Sequence, residues 1–260
     1  MGLNAVKILS LGLTASAVYS ALCLSAAAST ITPKFDGPEK VITSSTPTHA
    51  VFLKCKVSEA LLYQSKGAVL APPAHLAKAG KDVALVTGHG LIQGADCYVS
   101  DFLGNLKKVL SVSFADNYKS GTETDWAIIS FEQIEGQHIQ RYDIDHVPND
   151  PAGLGNQIVT FAQARGLPEN NQTCRLADSA AESLSENGTI IGHNCRAIGG
   201  QSGSPITQII DGRHKLIGFH IGSGWTIKSP MTGKPGRLNF MRSLDEEMAT
   251  EIKQALSEME

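Results

Sequence analysis

Charge is scarce in this chain. Asp, Glu, Lys and Arg make up 18% of its 260 residues, and 22 basic against 25 acidic side chains leave a net charge of -3. That balance argues against nucleic acid or an anionic membrane surface as the main partner. Metal-ligand spacing is absent as well. No two of the 5 cysteines stand two to four residues apart, so no zinc site is expected and the chemistry sought below needs no cofactor. No internal repeat with a period of roughly 20–50 residues is visible, which sets solenoids and propellers aside.

Long apolar runs are also missing, with one exception at the start. Ile8 to Leu24 is apolar but broken by Gly12, Thr14, Ser16 and Ser20; Lys7 precedes it, Ala26-Ala27-Ala28 follows, and no stop-transfer pattern comes after. This is the pattern of a signal peptide over residues 1–28 rather than a membrane span, and it directs the chain to the periplasm or the medium. Leu22 makes a poor site for a lipid anchor on Cys23. Removing the signal leaves Cys55, Cys97, Cys174 and Cys195, an even number in an oxidising compartment, so two disulfides are expected. Three connectivities are open; Cys55–Cys97 with Cys174–Cys195, one staple in each half of the chain, is preferred.

What the chain does have is punctuation. Its 25 glycines and 11 prolines break short runs of Val, Ile, Leu and Phe about every ten residues, the composition of a turn-rich β protein. Residues 29–49 are rich in Ser, Thr and Pro and read as a leader or propeptide. Six strand-like runs follow, from Ala50 to Phe131. A polar stretch from about Ile134 to Gly155 reads as a linker, and six more runs extend from Gln157 to Phe240. Two sets of six short strands predict paired barrels, over about 50–145 and 155–240. The end changes period: Leu244, Met248, Ile252, Ala255, Leu256 and Met259 recur at helical spacing, predicting an amphipathic α-helix over 243–259 with Ser243 and Glu246 as its capping box.

Three segments carry chemistry. In Gly199-Gly200-Gln201-Ser202-Gly203-Ser204-Pro205 the glycines allow a tight turn that aims N–H groups into one concavity, so Ser202 is the candidate nucleophile and the N–H groups of Gly200 and Ser202 the candidate oxyanion hole. Val83 to Val86 is an apolar strand running into Thr87-Gly88-His89-Gly90, where an imidazole can face a cleft; His89 is the candidate base, with His75 and His49 as competitors. Asp125 immediately precedes the buried-type strand Trp126 to Phe131. A carboxylate there needs a partner and is suited to orient a histidine ring. An α/β-hydrolase reading would use Asp211 with His214 or His220, but Ser204 stands where that motif needs glycine, and no alternation of strands with long helices accompanies it.

Together these segments resemble the trypsin/chymotrypsin superfamily of serine proteases, and more closely its compact bacterial branch that includes the glutamyl endopeptidases. The order His89, Asp125, Ser202 is that of the family; Gly-Gln-Ser-Gly-Ser-Pro is similar to the branch's Gly-Asn-Ser-Gly-Ser-Pro, and Asp-Trp-Ala-Ile-Ile to its Asp-Leu-Ala-Ile-Val. The resemblance covers residues 50–260. It implies an all-β fold of two six-stranded antiparallel barrels with the triad between them, and a monomer acting on proteins or peptides. By the same resemblance Gly218 to Gly224 would line the first specificity pocket, with His220, Ile221 and Gly222 on one wall and Arg196 and Ala197 on the other. His220 and Arg196 would favour an acidic side chain before the cleaved bond. Two departures stand out. Thr-Gly-His-Gly replaces the usual Thr-Ala-Ala-His-Cys, and Gln201 replaces the aspartate that pairs with a freshly cut N-terminus in zymogens. The competing expectation is a protease-like secreted binding module without catalysis.

Overall fold

The computed structural model describes residues 41–42, 50–56, 62–92, 95–101, 103–136, 139–144, 158–162, 171–176, 188–228 and 235–260. The expected signal peptide, most of the leader and residues 145–155 of the expected linker lie outside them. The described elements belong to one compact unit, residues 31–260. Among them no helix is long and apolar enough to cross a membrane.

After a two-residue strand, β1 (Val41–Ile42), the first half contains β2 (Val51–Lys56), β3 (Leu62–Leu70), a short helix α1 (Ala74–Lys78), β4 (Lys81–Val86), β5 (Asp96–Ser100), β6 (Leu106–Phe114) and β7 (Ala127–Glu132). Its six strands close an antiparallel barrel in the order β2-β3-β4-β7-β6-β5. The first and last strands meet in register, with Leu53 opposite Val99 and Cys55 opposite Cys97. That last pair is bridged as a disulfide.

The second half contains β8 (Ile158–Ala162), β9 (Asn171–Arg175), β10 (Ile190–His193), β11 (Pro205–Ile210), β12 (Arg213–Lys228), β13 (Pro235–Ser243) and the helix α2 (Glu246–Glu258). With β1 these strands form a seven-stranded sheet, ordered β1-β9-β8-β11-β12-β13-β10. Where sequence predicts a second closed barrel, the ladder is open. Its end strand β10 approaches β9, the strand next to the other end strand β1, at one isolated bridge, Leu176 to His193, and at the Cys174–Cys195 disulfide. From the expected leader, Val41 and Ile42 pair with Gln172 and Asn171 and so cover the start of the β9 edge.

Burial on two faces explains why several strands read as unbroken apolar runs. In β4, Ala84 and Val86 point into the first barrel, while Val83 and Leu85 point outward into a second core. That second core is shared. It joins Ala68, Leu70, Trp126 and Ile128 of the first half to Leu216, Phe219, Ile221 and Phe240 of the second, and to Met248, Ile252 and Leu256 of α2. A third cluster, including Cys174, Cys195, Ile206, Ile217 and Met241, fills the second sheet. Each fully buried large apolar side chain contributes roughly 1.5–3 kcal/mol, so the shared core holds the two halves and the helix in one arrangement.

Two local expectations are corrected. The linker does not begin at Ile134: Ile134, Ile139, Tyr142 and Ile144 are buried. Arg141 forks onto the buried Asp82 with bonds of 2.9 and 2.7 Å, and Tyr142 N–H donates to Val69. This stretch is polar in sequence because it supplies the partner for a buried carboxylate. The helix cap is Asp245 rather than Ser243. Asp245 Oδ1 accepts from Met248 N–H at 2.8 Å, whereas Ser243 still belongs to β13 and donates its hydroxyl to the Thr189 carbonyl.

Candidate active site

The candidate base is positioned by a strand end and two crowded glycines. β4 stops before Thr87, and a single 3-10 turn, Gly88–Gly90, lifts His89 off the barrel. Its side chain is 21% exposed, while both flanking glycines are buried. A Cβ at Gly88 would lie 2.2 Å from the Tyr118 ring, and one at Gly90 would lie 2.6 Å from Ser65 Oγ. Neighbours therefore dictate glycine on both sides of His89: a tyrosine ring fills the space beside Gly88 and a serine hydroxyl the space beside Gly90.

Asp125 is fully buried, which is costly for a carboxylate unless donors surround it. Three do. His89 N–H reaches Oδ1 at 2.9 Å, His89 Nδ1 reaches Oδ2 at 2.6 Å, and Gly121 N–H reaches Oδ2 at 2.7 Å. An ionised carboxylate only accepts, so Nδ1 carries the proton in this pair and Nε2 presents its lone pair.

The turn that carries the candidate nucleophile is built from the second half. Gly200 and Gly203 take φ values of 84° and 82°, in the left-handed region that side chains disfavour. Gln201 is buried, and its Oε1 accepts from Ile198 N–H at 2.8 Å, so it braces the turn internally. Ser204 N–H donates to Gln201, Gly203 N–H to His220, and Lys66 N–H to the Ser202 carbonyl at 2.7 Å. The N–H groups of Gly200 and Ser202 donate to no protein acceptor among the described residues.

These contacts bring the turn onto the strand end that carries the base. A Cβ at Gly203 would fall 2.0 Å from the Lys66 carbonyl oxygen and 3.4 Å from Thr87 N. Thr87 is two residues before His89, and β3 beside it pairs Gly67 with Val86. Ser202, half-buried, thus stands at the same seam as His89. The hydrogen bonds of His89 run to Asp125; no hydrogen bond joins its ring to the Ser202 hydroxyl in this structure.

The expected pocket wall differs in charge from the sequence reading. His220 is buried, and its Nδ1 lies 3.0 Å from Nε2 of the buried His193. Burial, aided by the nearby His89, pushes His220 down to about 3; burial and His220 also push His193 well below the ordinary range. Both rings are therefore neutral at rest, so His220 offers a hydrogen-bonding edge rather than a cation. Ala197 and Ile221 are buried, Gly222 is half-buried, and Arg196 is exposed. Sequence reasoning missed His193, which carries no motif, and Lys66, whose place under Ser202 depends on a contact across the two halves.

The competitors separate from this site. His75 Nε2 lies 3.1 Å from the Met259 carbonyl, His214 bonds Thr207 at 3.1 Å, Asp211 sits in an exposed turn, and His49 lies outside the described residues. Among the described residues no three His, Cys, Asp or Glu side chains converge as metal ligands. No protein-family model matches the chain, and no curated protein aligns with it significantly.

Proposed function

We propose that this protein is a secreted serine endopeptidase of trypsin-like architecture, its second half being an incompletely laddered barrel closed by the Leu176–His193 bridge and the Cys174–Cys195 disulfide. The observation that carries the reading is the His89–Asp125 pair, a half-exposed imidazole held by a buried carboxylate through its Nδ1 and its own backbone, at the seam where the Ser202 turn docks. In this reading Ser202 Oγ attacks the substrate carbonyl carbon as His89 Nε2 takes its proton, and the oxyanion forms against the N–H groups of Gly200 and Ser202. His89 then returns the proton to the leaving amine. Water hydrolyses the acyl-enzyme by the same path in reverse. Protonation of the His193–His220 pair on binding would let the pocket take an acidic side chain, with Arg196 at its exposed rim.

The test is labelling by a fluorophosphonate, with the adduct mapped by peptide mass. Modification of Ser202 that disappears in Ser202→Ala, together with loss of peptide hydrolysis by a factor of about 10³ or more, supports the reading. A folded protein that takes no label, with or without its residues before Ala50, would overturn it in favour of a protease-like binding module.

A further inference from the structure

Arg242 lies on β13 in the second half, opposite Phe219 of β12 and next to Met241, which pairs with His220. Its side chain is buried, with 7% exposure. A guanidinium in such a place must spend its donors on fixed acceptors. Nε donates to the Glu123 carbonyl at 2.9 Å, across 119 residues of sequence; Nη1 donates to the Ser243 carbonyl and to Asp245 Oδ2, each at 2.5 Å. Glu123 is two residues before Asp125, in a loop that hydrogen-bonds chiefly to itself: Asp125 N–H to Thr122, Trp126 N–H to Thr124, Thr122 N–H to Lys119. Asp245 in turn caps α2 through its other oxygen.

One buried fork thus ties the loop carrying the acid to the strand beside the pocket wall and to the start of the C-terminal helix. We infer that Arg242 is a positioning residue for Asp125, and through it for the His89 ring, with Asp245 as its counter-charge. This deepens the endopeptidase reading and rests on it. The loop's own turns fix its shape, but they do not fix where that loop stands relative to the second half, from which the Ser202 turn comes. Displacements near 1 Å at a reacting pair cost about 10²-fold in rate.

The test compares Arg242→Met, Arg242→Lys and the double variant Arg242→Met with Asp245→Asn. The double variant removes the half-buried charge that the single one strands on Asp245, so it recovers stability without recovering the tie to Glu123. If the inference holds, Arg242→Met and the double variant both lower kcat by about 10²-fold with KM within about twofold, while Arg242→Lys, which keeps one donor in reach, loses less. A double variant with wild-type kcat overturns it, since the defect would then be one of stability. A second readout needs no activity. The low-field proton NMR signal of His89 Nδ1–H, bonded to Asp125, should move or exchange faster in the double variant; an unchanged signal in a folded protein counts against the inference even if the protein proves not to be a protease. Absent labelling of Ser202 with a perturbed His89 signal would instead remove the enzyme reading and keep the positioning role.

Discussion

In the first barrel, the candidate base and acid are joined by one side-chain hydrogen bond, and backbone N–H groups of His89 and Gly121 complete the donors around the buried carboxylate. In the second sheet, the candidate nucleophile is held through backbone groups of Gln201, Gly203, Ser204 and Lys66 and by two left-handed glycines. The first half is a closed ladder; the second is open, with no ladder joining β9 to β10. The contrast assigns the halves different sensitivities. Side-chain substitution should break the first half's contribution, while changes in backbone tension should break the second's.

The largest expected effect tests the side-chain half. Asp125→Asn keeps the shape, but an amide placed at Oδ2 either loses the acceptor that holds His89 Nδ1–H or favours the other ring tautomer. Hydrolysis should fall by about 10⁴-fold with little change in KM, read by initial rates on a cleaved peptide. A loss under about tenfold would mean that the first half only scaffolds the site.

Much of this contrast could be read from the chain. The strand runs, the Asp125 position and the Gly-Gln-Ser-Gly-Ser-Pro turn follow from local chemistry, turn glycines and apolar runs, while the even cysteine count predicts two disulfides without choosing their pairing. What escaped depends on contacts between distant segments. Gly88 and Gly90 look arbitrary until Tyr118 and Ser65 stand over them. The open second ladder escaped because strand runs predict strands but not closure. The burial that pushes His220 down could not be read either, because it depends on packing between distant strands, and no pattern marks His193 beside it. Ser243 looked like a cap because spacing cannot show that β13 continues through it.

A middle-sized effect concerns bases buried on each side of the seam. Burial pushes Lys66, in β3 beneath Ser202, down to about 7 from 10.5. Between those pH values the unfolded chain holds the proton and the folded chain does not, so raising the pH stabilises the protein; below about pH 7 the full penalty is in place. At about 1.4 kcal/mol per pKa unit its ceiling is on the order of 5 kcal/mol. For His220, lowered from 6.5 to about 3, the same reasoning confines the penalty's relief to the range between those values, so above pH 6.5 the second half has shed its cost while the first has not. Lys66→Met should therefore be more stable than the parent at pH 6, with the margin shrinking towards pH 10, by urea denaturation at both. A margin independent of pH would show that Lys66 titrates alike in both states.

The smallest effect separates stability from activity. Cys55 and Cys97 are 42 residues apart and Cys174 and Cys195 are 21, so on chain entropy alone removing the first bridge should cost about 0.6 kcal/mol more than removing the second. The first bridge, however, links strands that already pair in register through β2 and β5, so its loss leaves the barrel ladder intact. The second joins strands that otherwise meet at one bridge, and it anchors Cys195 at the base of the segment leading through Ala197 to Ser202; the Cys195 carbonyl also accepts from Asn239 Nδ2 at 2.5 Å. Paired alanine variants should thus invert the two orders. The Cys55/Cys97 pair should have the lower urea midpoint, and the Cys174/Cys195 pair the slower labelling of Ser202. If labelling slows equally in both, the open end of the second ladder is not what governs the nucleophile turn, and the difference between the halves is one of topology alone.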